Sequence, residues 1–200
     1  MQAEPNLEDA LTEMVPDLVK KSNKRSFTKN LLKMDNKGFS TICWDNLHKY
    51  GGLEGTFPAA AKFVGQNSYL SYMDDLLRRA DATYPHKNRD YSMLMIGGAL
   101  WPAVEAELKH GSLDRSINKV LDIQMQIFDY SMNSLREKLV ALFHHEYLLT
   151  HRSMIDNMQE FCTSDYFAPA LEILRSRSLT NKTVTENLKF FEKMALHYRQ

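Results

Sequence analysis

The stretch between Gly111 and Pro169 contains no glycine and no proline, and this lack of helix breakers constrains the fold more than any other feature. Ser112 is a suitable N-cap at its start. Apolar residues then recur at intervals that suit one face of a helix. They lie at positions 113, 117, 121, 128, 132, 135, 139 and 142. The spacing predicts one long helix over residues 113 to about 150, which at 1.5 Å per residue would be about 57 Å long.

The remainder of the sequence also predicts helices. Shorter segments with helical apolar spacing are separated by turn signals at Gly38, at Gly51-Gly52 and at Gly65. Only 8 glycines and 6 prolines occur in 200 residues, which is too few to separate many short strands. We therefore expect an all-α fold, a helical bundle with one long central helix and a smaller N-terminal helical head.

The best candidate for a domain boundary is the polar segment 81–90, which contains Pro85. We place an N-terminal helical head at residues 1–82 and a sensory or dimerisation body at residues 83–200. The body begins with a strongly apolar helix over residues 91–109, which Pro102 is expected to bend or divide.

Composition favours a water-soluble protein. Hydrophobic residues make up 44% and charged residues 25%, close to the average for globular domains. Two cysteines cannot form a disulfide framework. No apolar run approaches the roughly 20 residues of a membrane helix, and the acidic N-terminus lacks an apolar leader. We therefore expect a cytoplasmic protein with no membrane partner.

Charge is unevenly distributed in the head, although the chain as a whole has 25 basic and 25 acidic side chains. Residues 1–19 contain five acidic residues and no basic one, whereas residues 20–37, the basic arm, contain seven basic residues and one acidic. Clustered cations are typical of nucleic-acid binding, but pairing with the acidic segment or a solvated face explains them equally well. The candidate nucleic-acid contacts of the basic arm are Lys20, Lys21, Lys24, Arg25 and Lys29.

Residues 57–77 contain a second candidate nucleic-acid interface. Residues 57–65 resemble the first helix and turn of a helix-turn-helix motif, with Gly65 in the left-handed turn position. The resemblance implies a recognition helix that begins near Ser68 and Tyr69, whose hydroxyls would contact nucleic acid. Asp74 and Asp75 depart from this pattern, and an ordinary antiparallel pair of core helices explains the same residues.

His86 precedes the apolar helix of the body, a setting that suits haem ligation. An apolar helix with Gly97-Gly98, followed by a long helix, resembles the sensory globin domains over about residues 86–142. This resemblance implies a haem bound through His86. A single histidine beside an apolar helix is more often an ordinary surface or capping residue, so haem binding is the alternative interpretation.

The sequence contains none of the common phosphate-binding or catalytic motifs. His144, His145 and His151 form the richest histidine cluster, but a separation of seven residues exceeds the i, i+4 spacing with which one helix binds a metal. Ligands from another helix would be needed, and a polar face or a pH-sensitive contact is the favoured interpretation. We predict no catalytic residue and no metal site.

The apolar stripe of the long helix is too long for one short neighbouring helix to cover, so we expect a symmetric homodimer packed along it. The predicted interface residues are Phe128, Met132, Leu135 and Leu139. The sequence therefore predicts a non-enzymatic regulatory protein that is dimeric, contacts nucleic acid through its head and has room for a small-molecule ligand in its body. The alternative is a globin-like sensor that binds haem through His86.

Overall fold

A computed structural model describes residues 7–83, 93–131, 134–179 and 181–198, without the Thr83 and Lys182 side chains. All regular elements in these ranges are helical, which confirms the all-α prediction. The helices are α1 (Leu7–Lys21), α2 (Lys24–Asp35), α3 (Ser40–Lys49), α4 (Leu53–Thr56), α5 (Ala61–Val64), α6 (Asn67–Thr83), α7 (Leu94–Glu107), α8 (Leu113–Gln124), α9 (Leu135–Thr150), α10 (Met158–Thr163), α11 (Phe167–Ser178) and α12 (Lys182–His197). Across these ranges, no helix combines the length and apolar character needed to cross a bilayer.

The predicted long helix is divided into α8 and α9, which corrects the sequence-based expectation. The Asp129 carboxylate accepts hydrogen bonds from the backbone N–H and Oγ of Ser131, at 3.0 and 2.6 Å. Such a local turn competes with helix formation. Thr28 of α2 stabilises the turn from outside, because its Oγ1 accepts a hydrogen bond from the Asp129 N–H at 2.9 Å.

Phe128 explains why the apolar spacing suggested a continuous helix. Its side chain is 2% exposed and packs against Phe27 and Phe57, so a buried turn residue lies where a helical one was expected. The apolar spacing calls for one more apolar residue between Leu121 and Phe128, but the residue there is Gln124, which ends α8. This side chain is fully buried, and its Nε2 donates to the Thr56 carbonyl at 2.5 Å. A polar residue on the apolar stripe thus marks the end of the helix.

The central helix of the core is α7, in which every residue from Leu94 to Trp101 is buried. Two glycines allow its neighbours to approach closely. A Cβ atom at Gly97 would lie 2.4 Å from Leu142 of α9, and one at Gly98 would lie 2.2 Å from Leu76 of α6. Helix α7 therefore packs between α6 and α9, and at these two positions the neighbouring leucine side chains occupy the space that a Cβ atom would need.

The hydrophobic core is continuous and includes residues from both sides of the predicted domain boundary. Buried Asp35 of α2 also links the two parts. Its carboxylate accepts hydrogen bonds from Ser40 Oγ at 2.6 Å and from the Met95 N–H at the start of α7, at 3.1 Å. The division into a head (1–82) and a body (83–200) stays a prediction, with a shared core between its two parts.

Three predicted dimer-interface residues are core residues of a single chain. Phe128, Leu135 and Leu139 are at most 2% exposed, and Met132 lies outside the described residues. Helix α9 packs against α7, α8, α11 and α12 of the same chain. The apolar stripe is therefore covered without a second copy, and homodimerisation stays a prediction that these contacts do not test.

Candidate ligand-binding site

A cavity of about 210 Å³ opens beside α6, α7 and the C-terminal end of α11. Its aromatic walls are Phe63, Tyr69, Tyr72 and Trp101. Its polar lining comes from Gln66, Ser68, Glu105, Arg177 and Asn181. This volume suits a small molecule below drug size.

Tyr72 and Tyr69 connect α6 to the backbone of α7. Pro102 has no N–H to donate to the carbonyl of Gly98 one helical turn earlier. The Tyr72 hydroxyl supplies this missing hydrogen bond at 3.0 Å, and the Tyr69 hydroxyl donates to the next carbonyl, of Ala99, at 2.9 Å. Helix α7 therefore continues through Pro102 to Glu107, and both phenol rings are fixed in the cavity wall.

Arg177 of α11 is the buried cation of the site, with 8% exposure. Its guanidinium donates hydrogen bonds to Glu146 of α9 and to Glu105 of α7, and it lies over the Trp101 ring at 5.4 Å from the centroid. Burial opposes the charge, but the two carboxylates outweigh this effect and raise the pKa of Arg177. One charged side chain thus joins three helices at the cavity.

Glu146 is the least exposed member of this network. Burial raises its pKa to about 8, and the attraction of Arg177 offsets part of that rise. Its Oε2 atom has no hydrogen-bond partner among the described residues. The Glu146 carboxyl therefore holds its proton to a higher pH than an ordinary glutamate does.

The indole N–H of Trp101 is the second unsatisfied group of the site. The side chain is 1% exposed and lines the cavity, but its Nε1 atom has no partner in the part of the chain that the structure describes. Buried indole N–H groups usually find an acceptor, because an unpaired buried donor costs about 1–3 kcal/mol. The Nε1 atom has essentially no accessible surface, so this unpaired donor lies beneath the cavity wall.

The predicted cations of the basic arm are all exposed: Lys20, Lys21, Lys24, Arg25 and Lys29. Two of them already have contacts. Lys21 pairs with Asp17 at 2.9 Å, and Lys24 Nζ donates to the Met125 carbonyl at 2.9 Å. The arm therefore exposes its charges to solvent, although Lys21 and Lys24 also have partners within the chain.

Nucleic-acid contact at the second candidate interface stays a prediction, but the local structure differs from the expected turn and buries one of its two contact residues. Ser68 is exposed, but Tyr69 is 4% exposed and its hydroxyl is used by Ala99. Gly65 has a φ of −85°, so it does not adopt the predicted left-handed conformation. Helix α6 packs against α3, α7 and α11, and its buried side chains face the core. It is thus a core helix, which is the alternative interpretation of the same sequence.

The three histidines of the cluster contact different side chains. His144 pairs with Asp114 at 2.9 Å, and His151 stacks on Tyr147. His145 stacks on Phe161, and burial lowers its pKa. Among the residues described, no three His, Cys, Asp or Glu side chains converge as a metal site. His86 lies outside those residues, so haem ligation stays a prediction.

The sequence-based predictions did not single out Trp101, Glu146 or Arg177 as members of one site. One signal was present. Helical spacing places Glu146 on the same stripe as Leu139, Leu142 and Leu149. A carboxylate on an apolar stripe requires a buried partner.

No protein-family model matches this chain, and no curated protein matches it significantly. The functional assignment therefore rests on the chemistry of the site itself.

Proposed function

We propose that this protein is a non-enzymatic, all-helical regulatory protein that senses a small molecule in the cavity beside Trp101. The observation that carries the proposal is a cavity with four aromatic side chains in its wall and the buried cation Arg177 among its lining residues. Concave, mostly aromatic sites with a few convergent polar groups are typical of ligand binding.

The position of Arg177 supports a regulatory role. Its guanidinium joins Glu105 of α7 to Glu146 of α9, and both Glu105 and Arg177 line the cavity. A ligand that contacts either residue would therefore act on the junction between α7, α9 and α11, which is where a regulatory signal could begin.

The non-enzymatic part of the proposal is supported by the cysteines. Burial raises the pKa of both Cys43 and Cys162 to about 11. Both thiols therefore stay protonated at neutral pH, whereas a reactive cysteine needs a lowered pKa. The charged groups at the cavity pair with one another, which suits binding better than bond cleavage.

The two tryptophans provide a direct test by NMR. Trp101 lines the cavity, whereas Trp44 is 3% exposed and packs against Phe57 in the core. Pools of one-ring and two-ring fragments, sorted by charge, are added to ¹⁵N-labelled protein, and the two indole N–H resonances are followed. We expect at least one pool to shift the Trp101 resonance in a saturable manner, with a smaller effect on Trp44.

The Trp101→Phe variant assigns the resonance and removes the donor. If no pool of any charge shifts the Trp101 resonance more than that of Trp44, the proposed function is wrong.

Nucleic-acid contact through the basic arm is a second candidate function, and it is supported by the exposure of its five cations. A double substitution, Lys24→Gln with Arg25→Gln, should weaken binding to duplex DNA and flatten its dependence on salt. The matched control removes two exposed lysines of α12, Lys189 and Lys193. Equal losses in the two variants, or no retention of DNA by the unmodified protein at low salt, would eliminate this candidate.

A further inference from the structure

Helix α1 has a row of apolar side chains that faces solvent. Leu7, Met14 and Leu18 are 72%, 55% and 52% exposed, and Leu11, which lies between Leu7 and Met14, is half-buried. These four residues, the α1 stripe, are separated by 4, 3 and 4 positions, which is the spacing of the apolar seam between two packed helices. A contiguous exposed apolar surface of this kind marks an interaction site.

Helix α1 contacts its own chain through another side. A Cβ atom at Gly52 would lie 2.9 Å from Val15, and one at Gly55 would lie 3.3 Å from Val19, so both valines lie against the segment that forms α4. At 3.6 residues per turn, Val15 and Val19 lie about a quarter of a turn around the helix from the α1 stripe. The contact with α4 therefore holds the helix in place while the stripe faces outward.

The α1 stripe is complementary to itself in an antiparallel pair. Its intervals of 4, 3 and 4 read the same in both directions along the chain. A two-fold axis between positions 12 and 13 therefore places Leu7 of one copy opposite Leu18 of the second copy, and Leu11 opposite Met14. Such a symmetric pair uses the same surface of both copies and covers every residue of the stripe.

The charges of α1 favour the antiparallel orientation. Acidic residues come first along the helix and basic residues last: Glu8, Asp9, Glu13 and Asp17, then Lys20 and Lys21. A parallel pair would bring the basic ends of both copies together, whereas an antiparallel pair places each basic end beside the acidic start of the other copy. The charge order is thus complementary to that of a second copy of this chain.

We infer that this protein forms a weak symmetric homodimer through antiparallel contact of its α1 helices. This surface differs from the dimer interface that the sequence predicts at residues 128–139, and the inference does not depend on the cavity beside Trp101. Helix α1 has 15 residues and is about 22 Å long. So small an interface suits a dimer with a dissociation constant on the order of tens of micromolar.

Sedimentation of the full chain, from about 5 µM to about 500 µM, tests the inference. We expect a change from monomer to dimer across this range. Leu18→Glu places a charge against the apolar stripe twice in each dimer, so it should weaken association about tenfold or more. Leu196→Glu, at a 70% exposed position on α12, is the matched control and should leave association unchanged.

Disulfide trapping tests the orientation. Both natural cysteines are first replaced, by Cys43→Ser and Cys162→Ser. Leu7→Cys protein is then mixed with Leu18→Cys protein that has a longer tag, and the mixture is treated with a mild oxidant. The antiparallel pair predicts disulfides mainly between the two different proteins, whereas a parallel pair would join copies of the same protein.

The inference is overturned if the unmodified protein stays monomeric at about 500 µM. A dimer that Leu18→Glu leaves intact, or that Leu196→Glu weakens equally, also overturns it, and so do disulfides mainly between copies of the same protein. The proposed function is tested separately by the Trp101 resonance, so a failure of the dimer leaves ligand binding standing.

Discussion

Replacing Glu146 by glutamine should remove most of the pH dependence that this buried carboxyl gives to folding. Glutamine has nearly the shape of a protonated glutamate, and its carbonyl oxygen can still accept the hydrogen bond from Arg177. The groups that face Glu146 are Arg177, Glu105 and Tyr72, and all three are retained in the variant. The substitution therefore removes the ionisable group at position 146 and keeps the hydrogen bond to Arg177 and the neighbouring side chains.

The size of the effect follows from the raised pKa of Glu146, about 8 in the folded protein against an ordinary value of 4.5. Between these values the unfolded chain releases the proton while the folded chain keeps it. The stability that protonated Glu146 contributes is thus complete below pH 4.5 and is lost as the pH rises to about 8. At 1.36 kcal/mol per pH unit, the loss between pH 5 and pH 8 is on the order of 4 kcal/mol.

Urea unfolding followed by circular dichroism at pH 5, 6, 7 and 8 measures this effect. The variant and the unmodified protein should have similar free energies of unfolding at pH 5, and the variant should be the more stable at pH 8. Burial lowers the pKa of His145, which favours folding at higher pH, but this effect is present in both proteins and cancels in the difference. Glu137→Gln, at an exposed position on α9, is the control and should behave like the unmodified protein. Parallel pH profiles for Glu146→Gln and the unmodified protein would show that folding does not raise the pKa of Glu146.

Two further predictions concern packing and the turn between α8 and α9. Gly97→Ala should lower the free energy of unfolding by about 1–3 kcal/mol, because its Cβ would lie 2.4 Å from Leu142, whereas Gly65→Ala, which has no heavy atom of the described residues within 4 Å of the new Cβ, should have little effect. A urea titration of both variants checks the contrast, and equal losses would contradict the close approach of α7 and α9. Thr28→Val should leave the Asp129 N–H without its acceptor and cost about 1–2 kcal/mol. Amide hydrogen exchange at Asp129 should accelerate in this variant, and unchanged exchange would show that Thr28 does not stabilise the turn.

The all-α fold was predictable because helical periodicity is a local signal. The same periodicity misled the prediction between α8 and α9. Phe128 continued the apolar spacing, yet it is held in the core by Phe27 and Phe57 from distant parts of the chain. Thr28 fixes the adjacent turn in the same way. Tertiary contacts of this kind leave no local mark on the sequence except the buried polar Gln124.

The candidate site was not predictable as a site, because its members are brought together only by folding. Trp101, Glu146 and Arg177 lie on three helices that are separated by long stretches of sequence. The position of Glu146 on an apolar stripe indicated a buried carboxylate, but nothing in the spacing identified Arg177 as its partner. The basic arm, by contrast, was visible from the sequence because solvent-exposed charge needs no specific partner.

The central claim is that a small molecule binds in the cavity beside Trp101. A crystal structure of the protein grown with the fragment that shifts the Trp101 resonance most strongly tests this claim directly. We expect electron density for the fragment against Tyr69, Trp101 and Glu105, which line the cavity. A fragment bound elsewhere, with none in the cavity, would contradict the claim.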